Sequence, residues 1–595
     1  MHALRSYTAI SVWNLADELP LQLKSVPPLL VHAIGILGFM ARRWWGGPRP
    51  MQRFGIAFAI LTALRQLLGD FDRIAIASAL LAWILFLWWL PCYLELLSRQ
   101  RQRIVLPVAA VAAISLQVSG QTLLHGLDVP LLRGAGGWLI ALTMTTGFAL
   151  LNTRAPTITD QRPVQPVGRA AIALIGCWLF LQLSLLANPG RMAQTADLSL
   201  VAANLLVQLG LITGLMLTSF HWRIKRLIAA VALLVLVPLM STVRGPETWM
   251  LVIANTAGVV ALAGACTRGK MRNTSWAYPG WLLGSGLLFV FLFGFYSRFE
   301  APLLWTVAAI LLVTLSLGVG EERIVGAVQS SAALAAVTLL ASLGSLVPAS
   351  RQAVDSSRGS DQLRLMTYNV HQGYDAFALP AMQRIANELA AADADVIALQ
   401  EVSRGWNLLG GGDLIAYLHW RFPDHRAVFT STNGLWGTAT LSRVPLQSSG
   451  GRVFVANGEF RYGFTSANLA SNTQIFSVHL SADLEAGGDS IRNLQAMELA
   501  QLAQPTNTIL AGDFNAEPRT PVIQRLLAAG LVDVAGKFGL ETAGTWPAHS
   551  PVDRLDYVFA TPDLQPVNAR LLRTTASDHL PLVVDFSMVP TRSKP

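Results

Sequence analysis

Apolar segments of fifteen residues or more recur through the first 348 positions, at 27–41, 54–69, 74–97, 104–119, 136–152, 169–187, 198–219, 225–241, 247–265, 280–297, 302–319 and 326–348. A helix crossing the hydrocarbon core needs about 20 such residues, so the repetition predicts a polytopic α-helical membrane domain of about 10–12 spans over 1–349. The first two segments are short and interrupted, with Arg65 inside the second. Composition agrees, because 13% of the chain is charged against about 25% in soluble domains. The first 26 residues lack the charged start, apolar stretch and cleavage site of a secretory signal.

Charge in the loops orients these segments, since Lys and Arg are retained on the cytoplasmic side. The loops after the first, third, fifth, seventh and ninth segments are basic: Arg42, Arg43, Arg49 and Arg53; Arg99, Arg101 and Arg103; Arg154, Arg162 and Arg169; Arg223, Lys225 and Arg226; Arg268, Lys270 and Arg272. The alternate loops hold one each, Arg73, Arg133, Arg191, Arg244 and Arg298. Two further spans then place everything beyond residue 350 outside the cytoplasm, on the periplasmic, external or lumenal side. The loop "GEER" at 320–323 has one Arg against two Glu; a re-entrant hairpin over 302–348 leaves the side unchanged, and a single span there reverses it.

Positions 1–361 carry 27 Lys and Arg against 14 Asp and Glu, a net +13, whereas 362–590 carry 15 against 21, a net −6. Cys92, Cys177 and Cys266 all lie in or beside apolar segments and none follows them, which excludes a disulfide framework and a zinc ribbon in the second half. No run of intramembrane carboxylates marks a proton-coupled transporter. Asn204 and Gln208, four apart, share a helix face suited to interhelical hydrogen bonding, and Glu95 and Arg99 have the same spacing.

The polar, aperiodic stretch 350–362 reads as a linker. Beyond it, short β-rich runs ("LRLMTYNV", "DVIALQE", "GTATLSR", "TQIFSVHL", "NTILAGDFN", "LDYVFA", "PLVVDF") alternate with helical stretches at 378–391, 411–422, 489–503 and 519–529. This is the pattern of an α/β domain over 363–590. Its strand ends carry Asn369, Glu401, His479, Asp513 with Asn515, and Asp578 with His579, while Asp556 stands in "RLDYVF". Each alone is most simply a turn cap or a solvated charge. Oxygen donors and histidines gathered at strand ends are also the groups that bind a metal ion or move a proton.

The ordered series "TYNVHQG", "IALQEV", "GTATLSR", "SVHLS", "LAGDFNAEP", "RLDYVFA" and "ASDHLPLVVDF" resembles the endonuclease/exonuclease/phosphatase superfamily, which is DNase I-like. The resemblance implies a four-layer α/β sandwich and a metal-dependent hydrolase of phosphoester bonds, using Mg²⁺ or alternatively Mn²⁺. It implies Glu401, Asn369 and Asp578 as metal ligands, and His579 as general base with Asp556 as its partner. Asp513 and Asn515 would orient the nucleophile and hold the phosphate, and His479 would bind substrate and serve the leaving oxygen. His479 resembles the DNase I, sphingomyelinase and inositol-phosphatase branches. His371 stands where many nucleases of the family have Asp, a departure at any second metal site. Trp406, Trp436, Arg443, Arg461, Arg492 and Trp546 are more often structural in such domains.

A polytopic half joined to this domain resembles, more weakly, the fusion proteins that remodel the lipid of glycosylphosphatidylinositol anchors. The expectation is therefore a membrane-anchored, extracytoplasmic phosphodiesterase or phosphatase acting on membrane lipids, through a phospholipid or lipid-linked headgroup. Nucleic acid is the less expected substrate, because polyanion binding draws on positive charge. The alternatives are a membrane-tethered endonuclease and a non-catalytic lipid-phosphate binding module.

Overall fold

The computed structural model describes residues 48–67, 80–90, 105–127, 134–153, 169–220, 224–240, 247–266, 301–316, 327–347, 362–377, 380–406, 411–432, 434–458, 460–482 and 488–587, with a few positions between 30 and 37 and around 77, 132 and 287. The chain divides into two compact units, one comprising Met1–Val347 with Gly405–Gly412 and the other Pro348–Arg404 with Asp413–Pro595.

The first unit is helical. Its helices include Pro48–Leu67, Val105–Leu123, Gly134–Thr153, Arg169–Leu181, Leu200–Leu217, Lys225–Leu239, Glu247–Cys266, Ala301–Ser316 and Ala327–Gly344. Among the described residues, Leu200–Leu217, Thr248–Cys266 and Ala327–Gly344 are long and apolar enough to cross a membrane, and five shorter apolar helices accompany them. Most of the first expected segment, the Glu95 and Arg99 pair, and the loops at 268–272 and 320–323 lie outside the described residues.

Small residues let these helices approach closely. A Cβ on Gly210 would meet Asn255 Cβ at 2.9 Å, and one on Gly214 would meet Val259 Cβ at 2.7 Å. Leu200–Leu217 and Glu247–Cys266 thus pack backbone to backbone along one glycine stripe. Gln208 is buried and bonds between helices, accepting from Ser115 Oγ at 2.6 Å and donating to the Ser115 carbonyl at 2.9 Å and Ser119 Oγ at 3.0 Å. Asn204 accepts from Gln208 within its own helix at 3.4 Å.

The second unit holds two mixed sheets. One runs β12 (Gln565–Leu571), β13 (Leu582–Ser587), β1 (Gln362–Asn369), β2 (Val396–Trp406), β5 (Trp436–Ser442), β4 (Arg426–Ser431), with β3 (Gly412–Asp413) also on β2. The other runs β10 (Val532–Asp533), β11 (Asp556–Ala560), β9 (Thr508–Asp513), β8 (Gln474–His479), β7 (Gly463–Leu469), β6 (Leu446–Val453). The pairs β1/β2 and β8/β9 are parallel. Every residue of β5, β9 and β11 is buried, as strands covered on both faces require; β9 and β11 are accordingly mostly apolar, whereas β5 buries Thr438, Thr440 and Ser442.

Leu365, Val396, Ala398, Ile475, Ile509, Ala511, Val558 and Val584 form one core drawn from both sheets. Toward the site that core turns polar: Gln400 Nε2 donates to Ser477 Oγ at 3.1 Å, Ser477 Oγ donates to the Leu399 carbonyl at 3.1 Å, and the Thr438 and Thr465 hydroxyls meet at 2.9 Å. These bonds fix the sheets against each other. The helices Met382–Ala392, Leu414–Arg421, Gly488–Leu502 and Pro521–Ala528 each bury an apolar stripe, as Met382, Ile385, Ala386 and Leu389 do in the first.

Several expected elements begin or end elsewhere. The helix expected from 378 starts at Met382, because Pro380 pairs with Tyr374 in an isolated bridge and disfavours helical backbone before it. Strand β2 continues to Trp406 through a register shift between Leu399 and Val402. Strands β4, β6, β7 and β12 carry no strong alternation, and β6 is exposed along nearly its whole length.

Candidate active site

Strand register assembles half of the site. His479 ends β8 opposite Asp513, the last residue of β9, and Asp513 in turn pairs with Asp556, the first residue of β11. Three expected residues therefore stand in one row across the second sheet. The other sheet supplies Asn369 at the end of β1 and Glu401 in the bulge of β2. The loop before β13 adds Asp578 and His579.

The backbone is strained where it aims these groups. His371 (φ 43°), Gln372 (φ 57°), Glu401 (φ 53°) and Asn515 (φ 46°) all lie in the left-handed region. That region costs non-glycine residues roughly 1–2 kcal/mol each, and such outliers concentrate where function demands a particular direction.

His579 Nδ1 lies 2.8 Å from Asp556 Oδ2, and His579 Nε2 lies 3.7 Å from Asp513 Oδ2. Asp513 Oδ2 accepts from Asn369 Nδ2 at 2.9 Å, and Asp513 Oδ1 accepts from the Asn515 backbone N–H at 2.9 Å. Asn515 Nδ2 donates to the Leu480 carbonyl at 3.0 Å, tying the end of β9 to the end of β8. Glu401 accepts from Asn369 Nδ2 at 3.4 Å and from Gln372 Nε2 at 3.3 Å. His479 Nε2 is buried without a hydrogen bond among the described residues, 3.7 Å from Asp513 and 3.9 Å from Glu401. Its ring is held edge-on by Tyr462 and Trp436, at centroid distances of 4.9 and 5.7 Å.

Asp578 accepts from Trp546 Nε1 at 3.3 Å and Ser577 Oγ at 3.2 Å, and lies 3.7 Å from His371. Ser577 Oγ also bonds the Asn369 carbonyl at 2.7 Å.

Burial and charge set the protonation states. Burial pushes Asp513 up to about 7, against the opposing pull of His579. Burial also raises Glu401, with Asp578 adding to the rise and His371 opposing it. In Asp578 burial is outweighed by His371 and His579 and by the Trp546 and Ser577 hydrogen bonds, so its carboxyl stays below the usual range. His579 is buried too, but Asp556, Asp513 and Asp578 hold it well above the ordinary histidine value. Burial, with His579 nearby, lowers His479 to about 3.

The donor set fits a hard cation. Asp513 and Asp556 are 1% exposed, Asp556 Oδ1 has no hydrogen-bond partner among the described residues, and the bonds to Glu401 come from neutral amides. Negative charge gathered at such depth calls for positive charge, and oxygen ligands suit Mg²⁺ or Mn²⁺.

The structure brings all eight sequence-derived residues together, but their grouping differs from the expectation in two respects. Ligand atoms of Asp513, Asp556 and His579 lie within 4.8 Å of one another, a grouping other than Glu401, Asn369 and Asp578. Asn369 turns its amide N–H toward the carboxylates, while its oxygen accepts from the His371 backbone N–H at 3.0 Å. Gln372, Ser577 and Tyr462 were not expected, since neither turn residues nor a tyrosine outside the motifs gave a signal. Arg443 lies elsewhere, paired with Asp393 and Asp395, and Arg492 bonds Asp489 and the Ser481 carbonyl.

Residues 366–579 match the endonuclease/exonuclease/phosphatase family. Members of this family are typically metal-dependent phosphoester hydrolases, and the second unit is accordingly a DNase I-like domain. An endonuclease/exonuclease/phosphatase from Beutenbergia cavernae DSM 12333 is 23% identical, with TM-score 0.32 over 38% of this chain and 72% of its own. D. rerio TDP2 complexed with a single-strand DNA product is 20% identical, with TM-score 0.32 over 38% of this chain and 100% of its own. A Neisseria 3′ phosphatase, NExo, bound to a product DNA hairpin is 16% identical, with TM-score 0.31 over 38% and 99%. Comparison with curated proteins gives no match.

Proposed function

We propose that the chain is a membrane-anchored phosphoesterase whose domain at 363–590 faces the extracytoplasmic side and hydrolyses a phospholipid or lipid-linked headgroup, glycosylphosphatidylinositol-type lipids included. The observation that carries this reading is one chain joining long apolar helices to a buried row of His479, Asp513 and Asp556 with His579 beside it. A hydrolase tethered to a bilayer meets lipid phosphates at high local concentration. The net charge of −6 over 362–590 favours such substrates over nucleic acid, whose binding draws on positive charge.

In this reading Glu401, Asn369 and Asp578 would hold Mg²⁺ or Mn²⁺. The cation supplies positive charge against the phosphoryl oxygens. The carboxylates that hold His579 protonated would be offset by the bound cation, leaving the ring free to take the proton from the attacking water, while Asp556 fixes it so that Nε2 faces the reaction. Asp513 and Asn515 orient the water and the phosphate. His479, held neutral between Tyr462 and Trp436, stands beside the leaving oxygen.

The reading is tested on the full chain in proteoliposomes by chelating divalent cations and restoring them, with a Ser360→Cys variant labelled by a membrane-impermeant thiol reagent. Cation-dependent lipid hydrolysis and labelling from the extracytoplasmic side support it. Labelling from the cytoplasmic side overturns the topology, and hydrolysis indifferent to chelation overturns the chemistry.

A further inference from the structure

The geometry points to a second binding site, inside the helical unit, for a small uncharged hydroxyl-bearing ligand held by Trp178, Gln182 and Asn255 around Gly258. It is independent of the phosphoesterase reading, and no residue of the DNase I-like domain takes part.

Trp178 and Gln182 stand four residues apart, and both are 0% exposed. Trp178 Nε1 and both amide atoms of Gln182 have no hydrogen-bond partner among the described residues. They converge on Gly258, where a Cβ would lie 3.4 Å from Gln182 Nε2 and 3.8 Å from Trp178 Nε1. One turn before Gly258, Asn255 is 0% exposed and donates to the Val207 carbonyl at 3.2 Å, leaving its Oδ1 unpartnered.

Unmet polar groups within apolar helices cost stability; single atoms of Gln117, Gln194 and Asn204 are also unmet among the described residues, but at Gln182 both amide atoms are. Gln208 bonds Ser115 and Ser119 through both ends of its amide. The contrast with Gln182 is therefore local. A second feature marks the same place: Gln182–Leu186 is a π-helical turn, closed by Ala187 N–H on the Gln182 carbonyl at 2.8 Å. Such turns interrupt α-helices frequently at functional positions.

The chemistry of the ligand follows from what is present. Residues 170–190, 198–220 and 248–266 contain no Asp, Glu, Lys or Arg, so a charged ligand would lack compensation. An indole N–H, an amide offering both donor and acceptor, and a second amide oxygen match hydroxyl groups, which give and take hydrogen bonds. A free cyclic polyol and the polyol headgroup of a lipid share this chemistry.

The test follows thermal unfolding of the full chain in detergent, with myo-inositol, with phosphatidylinositol or with phosphatidylcholine, for wild type, Gln182→Leu and Gln208→Leu. Wild type is expected to gain about 2–4 °C with myo-inositol or phosphatidylinositol but not with phosphatidylcholine. A response to the free polyol identifies a soluble ligand, and a response to phosphatidylinositol alone identifies a headgroup. Gln182→Leu is expected to be as stable as wild type without ligand and to lose the shift, whereas Gln208→Leu is less stable and keeps it. A shift that survives in Gln182→Leu, or no shift in wild type, overturns the inference. So does a Gln182→Leu variant as unstable as Gln208→Leu, which would mean that Gln182 serves structure through an internal water.

Discussion

His579 Nδ1 and Asp556 Oδ2 lie 2.8 Å apart, and both residues are at least nine-tenths buried. Asp556 reaches this position as the first residue of β11, paired directly with Asp513 on β9. The hydrogen bond directs the second ring nitrogen, Nε2, toward Asp513, where a water would be activated. His579→Ala should lower turnover by about 10²–10⁴-fold, the usual worth of a positioned general base. Asp556→Asn should lower it through the same ring, so the double variant should be little worse than His579→Ala alone. Steady-state kinetics of the three variants checks this, and additive losses would separate the two residues.

Glu401 sits in the bulge of β2 with φ 53°, and a bulge of this kind re-aims one side chain. Glu401→Gln keeps the shape and removes the charge. It should weaken activation by Mg²⁺ well beyond tenfold, seen as a rise in the metal concentration at half-maximal rate.

Gln372 offers a more selective probe. It holds Glu401 Oε2 at 3.3 Å from a left-handed backbone at φ 57°. Gln372→Gly should relieve strain of ~1 kcal/mol while weakening cation activation by roughly 10–100-fold, the usual cost of losing a residue that orients a ligand. A stability gain with lost activation would show strain serving the site. Stability and activation lost together would make Gln372 a structural residue.

Asp513 gives a pH signature. Its folded value is raised to about 7 from an unfolded value near 3.9, so the stability it contributes is fully present below pH ~4 and is lost as pH rises toward 7. Asp513→Asn removes that dependence. In the cation-free protein the substitution should be close to neutral at pH 4 and stabilising by a few degrees at pH 8, as thermal unfolding at both pH values would show.

Much of this site was legible because the chemistry sits at the ends of strong apolar strands. "NTILAGDFN" and "TQIFSVHL" each announce a buried strand and then break into polar residues, and the parallel register of β8 and β9 turns that shared pattern into adjacency. What sequence left out is local or long-range geometry. Gln372 lies in a turn with no periodicity, and Tyr462 reaches His479 only because β7 pairs with β8. The β6 segment "LQSSGGRV" has exposed residues along nearly its length and offers no alternation to read. In the helical unit, the spacing of Asn204 and Gln208 pointed to interhelical hydrogen bonds, and Gln208 makes them. The unpartnered state of Gln182 depends on which helix faces it and left no mark in the sequence.

The central claim is that this chain hydrolyses lipid phosphoesters, and it is tested most directly by headgroup or phosphate release from a phospholipid and inositol-lipid panel by the reconstituted full chain with Mg²⁺. Plasmid DNA is the parallel substrate and His579→Ala the control. The account predicts lipid turnover that disappears in the variant and little cleavage of DNA. Cleavage of DNA with the lipids untouched would contradict it.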